Sequence, residues 1–159
     1  MEKIQACVWA AAAVLLVACG ESKPKPELVL QDIQGKQVSL QQLQGKPAVV
    51  NMWATWCAPC RREMPALMRF AEKNPQVAVV LVNQGEEAAT VAAYLQQETL
   101  PSDAVWLDPR SDMGVFVGQR ALPTTLFFDG QGRLQDVRVG ELSEATLQQK
   151  VSALQAAQP

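Results

Sequence analysis

The sequence predicts an α/β domain with a central mixed β-sheet flanked by helices, and three observations carry that expectation. Apolar runs of strand length alternate with segments whose apolar residues recur at helical spacing. Near the end of the chain, two β runs joined by Asp129-Gly130-Gln131-Gly132 form a hairpin instead of another strand–helix–strand crossover. At the first strand-to-helix junction, Trp56-Cys57-Ala58-Pro59-Cys60 places two thiols one helical turn apart.

Composition bounds the function classes. A chain of 159 residues has room for one domain, and 48% apolar with 19% charged residues is ordinary globular composition. The net charge of −2 leaves no basic footprint, so nucleic acid is not an expected partner. The chain has no His, which removes Cys-His and Ser-His catalysis and every His-based metal site.

Residues 1–18 read as a signal peptide, with Met1-Glu2-Lys3 as a weakly basic start and an apolar run at 6–18 too short to span a bilayer comfortably. Leu16-Val17-Ala18-Cys19 resembles the lipobox of bacterial lipoproteins, which implies cleavage before Cys19 and acylation of it; an ordinary cleaved signal peptide is the alternative. Cys7 then leaves with the signal peptide and Cys19 carries lipid, so Cys57 and Cys60 remain as the thiols of the mature protein. Export places that pair where disulfides persist and where a reduced dithiol needs a donor. The polar, Pro-bearing stretch at 20–27 reads with Cys19 as a tether, leaving residues 28–159 for the domain.

Within that domain, residues 28–40 read as a strand, a turn around Gln34-Gly35, and a second strand. Residues 47–53 are a near-continuous apolar run, as expected of a central strand buried on both faces. From Pro59 to about Lys73, Met64, Leu67, Met68 and Ala71 mark one face of an amphipathic helix. Pro65 removes a hydrogen bond to the carbonyl of Arg61 and is expected to kink it. Residues 77–82 form the next strand, which completes a right-handed βαβ unit with the two cysteines at the carboxyl end of its first strand.

A second helix at 86–97 follows, with Ala88, Val91, Ala92 and Leu95 on one side, and then a short strand at 104–107. Ser111-Asp112 is expected to cap a short helix running through Val117. The hairpin strands at 124–128 and 134–139 come next, and Ser143 caps a last helix with Leu147, Val151 and Leu154 facing the core.

A C-x-x-C pair at a helix start points to redox chemistry. Unpaired N–H groups and the helix dipole favour a thiolate there, and the two-residue gap lets the second sulfur release whatever the first captures. Half a zinc site and a structural crosslink are the other readings of such a pair. A structural zinc site needs four ligands, and this chain offers neither a second C-x-x-C nor a His.

The run Val49-Val50-Asn51-Met52-Trp53-Ala54-Thr55-Trp56-Cys57-Ala58-Pro59-Cys60-Arg61-Arg62-Glu63-Met64-Pro65 resembles the signature of thioredoxin-like proteins of the TlpA/ResA/DsbE type. Ala121-Leu122-Pro123-Thr124-Thr125 is similar to that family's cis-proline segment, and residues 32–47 resemble its extra N-terminal strands. The resemblance implies a thioredoxin fold with those extra strands and a TlpA-like central insertion. It implies an exported, membrane-tethered thiol–disulfide oxidoreductase that needs no cofactor and no metal. The implied partners are proteins with disulfides or thiols, including apocytochrome c or copper-site assembly proteins, and a membrane electron donor of the DsbD type.

Carried over by position, Cys57 is the attacking nucleophile, Cys60 the resolving thiol, and Pro123 the cis-proline facing a Cys57–Cys60 disulfide. Cys57 is expected to be partly exposed and Cys60 covered. A cis Leu122–Pro123 bond presents the backbone of Leu122 to an extended substrate, and Trp56 shields the disulfide and contacts partners. Glu63, three residues after Cys60, is the candidate proton relay, because Asn51 stands where thioredoxins proper place a buried Asp. A solvated first-turn Glu is the plainer alternative for it.

Arg61 and Arg62 either lower the thiol pKa, meet an acidic partner, or are simply solvated, Trp53 is expected in the core, and the methionines of the first helix are core filler. Ala-Pro between the cysteines resembles the Gly-Pro of reducing thioredoxins, and no His stabilises the thiolate within the motif, so a reductant is expected. A copper-binding module using the same thiolates, or a disulfide oxidase or isomerase, is the alternative. A thiol peroxidase of this fold is disfavoured by Ala54, which stands where a Thr-x-x-Cys pattern would place Thr.

Overall fold

The computed structural model describes residues 28–118 and 121–156; the expected signal peptide, lipidated Cys19 and tether lie outside the described residues. Strands β1 (Val29–Asp32) and β2 (Gln37–Ser39) pair antiparallel. The Asp32 carboxylate accepts the N–H groups of Gln34 and Lys36 at 2.9 Å, and Gly35 supplies the positive φ of +83° that the turn requires. Leu40, expected at the end of a strand, instead opens a 3-10 turn, Leu40–Leu43, capped by Ser39 and burying both leucines.

Next come β3 (Ala48–Trp53), α1 (Ala58–Lys73) and β4 (Ala78–Gln84), with β3 and β4 parallel from Ala48↔Ala78 to Trp53↔Asn83. Every residue of both strands is buried, which explains their near-continuous apolar runs, broken only by Asn51 in β3 and by Asn83-Gln84 at the end of β4. Helix α1 continues through Pro65, which lies on its exposed face, where water can serve the carbonyl left without a partner.

Helix α2 (Ala88–Gln97) and β5 (Val105–Asp108) follow, lying between the βαβ half and the closing ββα half, where a central insertion belongs. Then come α3 (Asp112–Phe116), β6 (Thr124–Phe128), β7 (Leu134–Val139) and α4 (Glu144–Ala156).

Among the described residues the strands form one sheet in the order β2-β1-β5-β4-β3-β6-β7. The β3, β4 and β5 pairings are parallel, while β6, β7, β1 and β2 join antiparallel, so the sheet is mixed as expected. Alternation along β3 separates two cores. Val49 and Trp53 meet Met64 and Leu67 of α1, Val91 of α2 and Leu147 of α4, while Ala48, Val50 and Met52 meet Leu40, Leu43 and Met113. Helices therefore cover both faces.

One expected cap is corrected. Ser111 makes no side-chain cap to α3 and holds a left-handed φ of 56°. The cap is Asp108, whose two carboxylate oxygens accept the N–H groups of Asp112 at 3.0 Å and Met113 at 2.9 Å. A carboxylate at the end of β5 reaches both donors at once, which a single hydroxyl cannot. Ser143 does cap α4, accepting the N–H of Thr146 at 3.2 Å.

Candidate active site

The chain leaves the sheet at Trp53, turns through Ala54-Thr55-Trp56, and enters α1 with Cys57 as its capping residue. Cys57 is bonded to Cys60, with S–S 2.02 Å and Cα atoms 5.3 Å apart. The Cys57 sulfur accepts the N–H of Cys60 at 3.3 Å, one of the donors that the start of a helix leaves without an intrahelical partner. Pro59 falls in the first turn, where its missing N–H removes no helical bond.

Cys57 is more enclosed than expected: it is 5% exposed against 1% for Cys60, so the order holds but the outer cysteine is not partly open. Trp53, Met64 and Met68 pack in the core that encloses the pair, and α1 folds over them.

The loop before Cys57 is held by a residue that the sequence reading passed over. The Glu86 carboxylate accepts the Thr55 N–H at 2.7 Å, the Thr55 hydroxyl at 2.5 Å and the Asn83 amide at 2.7 Å. Glu86 was expected inside a helix, yet α2 begins only at Ala88 and leaves Glu86 turned toward Thr55. The available signal was the parallel pairing itself: Trp53↔Asn83 sets the two exit loops side by side.

Beneath the disulfide, Glu63 is buried, 3% exposed, and is not a solvated first-turn residue. One of its oxygens accepts the Asn51 amide at 2.8 Å and the other the Leu142 N–H at 2.6 Å, while Asn51 also donates to the Thr125 hydroxyl at 2.9 Å. Burial pushes the Glu63 carboxyl above the usual carboxylate range; the hydrogen bonds from Leu142 and Asn51 pull it down without cancelling that effect. The group lies one turn along α1 from Cys60.

The Leu122–Pro123 bond is cis, Pro123 is buried, and its carbonyl accepts the Gly140 N–H at 2.9 Å. Trp56 is 71% exposed beside the pair. Arg61 is engaged with Glu98 at 3.2 Å and lies over the Tyr94 ring at 5.5 Å, and Arg62 pairs with Glu141 at 2.6 Å. Both are surface pairs, worth little to stability in solvent. Among the described residues, no cluster of three or more His, Cys, Asp or Glu side chains is placed to hold a metal ion.

Comparison with known proteins agrees with this geometry. Residues 22–137 match the model of the AhpC/TSA family. The thiol:disulfide interchange protein DsbE of Pseudomonas fluorescens biotype C is 33% identical over 82% of this chain and 73% of its own length. The thiol-disulfide oxidoreductase ResA of Bacillus subtilis is 30% identical over 80% of this chain and 72% of its own. The solved structure of a DsbE-type thiol:disulfide interchange protein from Chlorobium tepidum superposes with a TM-score of 0.76 at 25% identity, covering 84% of this chain and 96% of that one. With the thioredoxin fold, the cysteine pair at the start of α1 and these relatives together, the chain belongs to the AhpC/TSA family, alongside ResA- and DsbE-type proteins, and is a thiol–disulfide oxidoreductase.

Proposed function

We propose that the chain is an exported, lipid-anchored reductant of protein disulfides acting through the Cys57/Cys60 dithiol. The observation that carries this reading is the placement of the Cys57 sulfur at the start of α1, accepting the Cys60 N–H at 3.3 Å. A sulfur so placed is stabilised as the thiolate. Cys57 attacks one sulfur of the substrate disulfide, forming a mixed disulfide and releasing the other as thiolate. Cys60 then attacks Cys57, the substrate leaves with both sulfurs reduced, and the two electrons it gained are those lost in closing the Cys57–Cys60 bond.

Glu63 takes the Cys60 proton as that sulfur attacks. Its burial on α1 one turn from Cys60 and its raised affinity for a proton suit that task at neutral pH. Trp56 and the Leu122-Pro123 segment receive the substrate, the exposed indole by apolar contact and Leu122 through its backbone.

In this reading residues 1–18 are a signal peptide, Cys19 carries lipid, residues 19–27 are the tether, and residues 28–159 form the working domain at the extracytoplasmic membrane surface. A membrane electron donor of the DsbD type returns two electrons to the pair, and the substrates are proteins of cytochrome c or metal-site maturation. Ala58-Pro59 between the cysteines and the absence of His support the reducing direction. Equilibration of the pair with a glutathione or dithiothreitol buffer tests it. A potential near about −270 mV is expected of a reductant, and one near about −120 mV would mark an oxidase.

A further inference from the structure

Three consecutive residues before α4 are each tied to a different part of the site. Gly140 donates its N–H to the carbonyl of the cis Pro123 at 2.9 Å. Glu141 meets the Arg62 guanidinium in a fork: Nη2 donates to Oε2 at 2.6 Å, and Nε to Oε1 at 3.3 Å and Oε2 at 3.2 Å. Leu142 donates its N–H to Glu63 Oε2 at 2.6 Å. Arg62 and Glu63 are adjacent on α1, so two successive residues of the helix bind two successive residues of the segment, each pair 79 positions apart.

A single hydrogen bond leaves a segment free to turn about it, and a planar guanidinium engaging both carboxylate oxygens one residue away fixes its direction. Arg62 is 61% exposed and Glu141 42%, so the pair adds little to global stability. What it holds is the aim of the Leu142 N–H, on which one oxygen of a buried carboxyl group depends. Asn51 of β3 serves the other oxygen at 2.8 Å and also donates to the Thr125 hydroxyl of β6. Among the described residues, the titratable groups that bear on Glu63 are Cys60, one turn back on α1, and Glu141, with Arg62 as its counter-ion. Burial does most to raise the proton affinity of Glu63, and the Glu141 charge adds to it.

We propose that Arg62 and Glu141 are positioning residues for the proton relay, bracing the 140–142 segment so that the Leu142 N–H stays on Glu63 while Cys60 reacts. Because the same segment holds the Pro123 carbonyl, the brace ties the substrate-binding turn and the relay into one unit. The inference rests on the relay reading of Glu63.

The test compares the wild-type protein with Arg62→Gln/Glu141→Gln, which removes both charges and the fork together. Leu142 stays buried in the core and Gly140 keeps its bond to Pro123, so the variant is expected to fold. In the oxidised protein, where neither cysteine titrates, NMR follows the Glu63 carboxyl carbon across pH and the protection factor of the Leu142 amide in hydrogen exchange. Protection is expected to fall about threefold and the Glu63 midpoint to rise by about half a pH unit, because a loosened donor stabilises the carboxylate less. In the reduced protein, the pH step in closing Cys57–Cys60 from a glutathione mixed disulfide on Cys57 is expected to move up by the same amount. Unchanged protection, or a midpoint that stays or falls, would overturn the brace and leave an ordinary surface ion pair. A raised midpoint, combined with identical pH profiles of closure in wild-type and Glu63→Gln proteins, would support the brace and overturn the relay reading instead.

Discussion

Glu63 carries a carboxyl group that burial makes reluctant to ionise, yet both of its oxygens accept hydrogen bonds, from Asn51 and Leu142. The folded state therefore holds this proton more tightly than the unfolded chain, where glutamate titrates near about 4.3. The corresponding stabilisation is complete below the unfolded value and is lost as pH rises through the folded one. Glu63→Gln is expected to flatten the decline in stability across that window, measured by urea denaturation of the oxidised protein over a pH series. The same variant is expected to remove a step from the pH profile of thiol exchange; an unchanged profile would assign Glu63 to structure alone. The position of Glu63 one turn along α1 from Cys60 was legible from their spacing. Its partner Leu142 lies 79 residues away and left no local mark.

Each element of the fold was legible where hydrophobic period and turn chemistry agreed, as in β3, β4, α1 and the β6–β7 hairpin. Asp129 holds that hairpin loop by accepting the N–H groups of Gln131 and Arg133 and the side chains of Arg133 and Gln135. The α3 cap was misread because Ser-Asp before an apolar run suits either a local hydroxyl cap or a reach back to the preceding strand. Only the fold decides for Asp108. Asp108→Ala leaves the N–H groups of Asp112 and Met113 without that carboxylate, and is expected to cost about 2 kcal/mol in chemical denaturation. Ser111→Ala, removing a hydroxyl that caps nothing, is expected to cost far less. The Glu86 clamp on Thr55 escaped notice for a related reason: residues 31 apart meet only because β3 and β4 run parallel in register.

At the scale of the molecule, the sheet brings together an acidic group from α1, a clamp from the end of β4 and a cis-proline before β6 around one helix start. The C-x-x-C motif and the resemblance foretold the helix start and the cis-proline, while the Glu86 clamp and the depth at which the pair lies did not show in the sequence. Cys57 is enclosed because the loop before it is pinned and the core closes beneath it. For a reductant, the disulfide form is the more stable fold, so oxidised protein is expected to resist urea better than reduced protein; the reverse order belongs to an oxidant. The proposed chemistry turns on the start of α1 keeping the Cys57 sulfur ionised near neutral pH. The pH dependence of its alkylation in reduced Cys60→Ala protein measures this directly: a midpoint well below the ~8.5 of a free cysteine is predicted, and a midpoint at or above it would contradict the account.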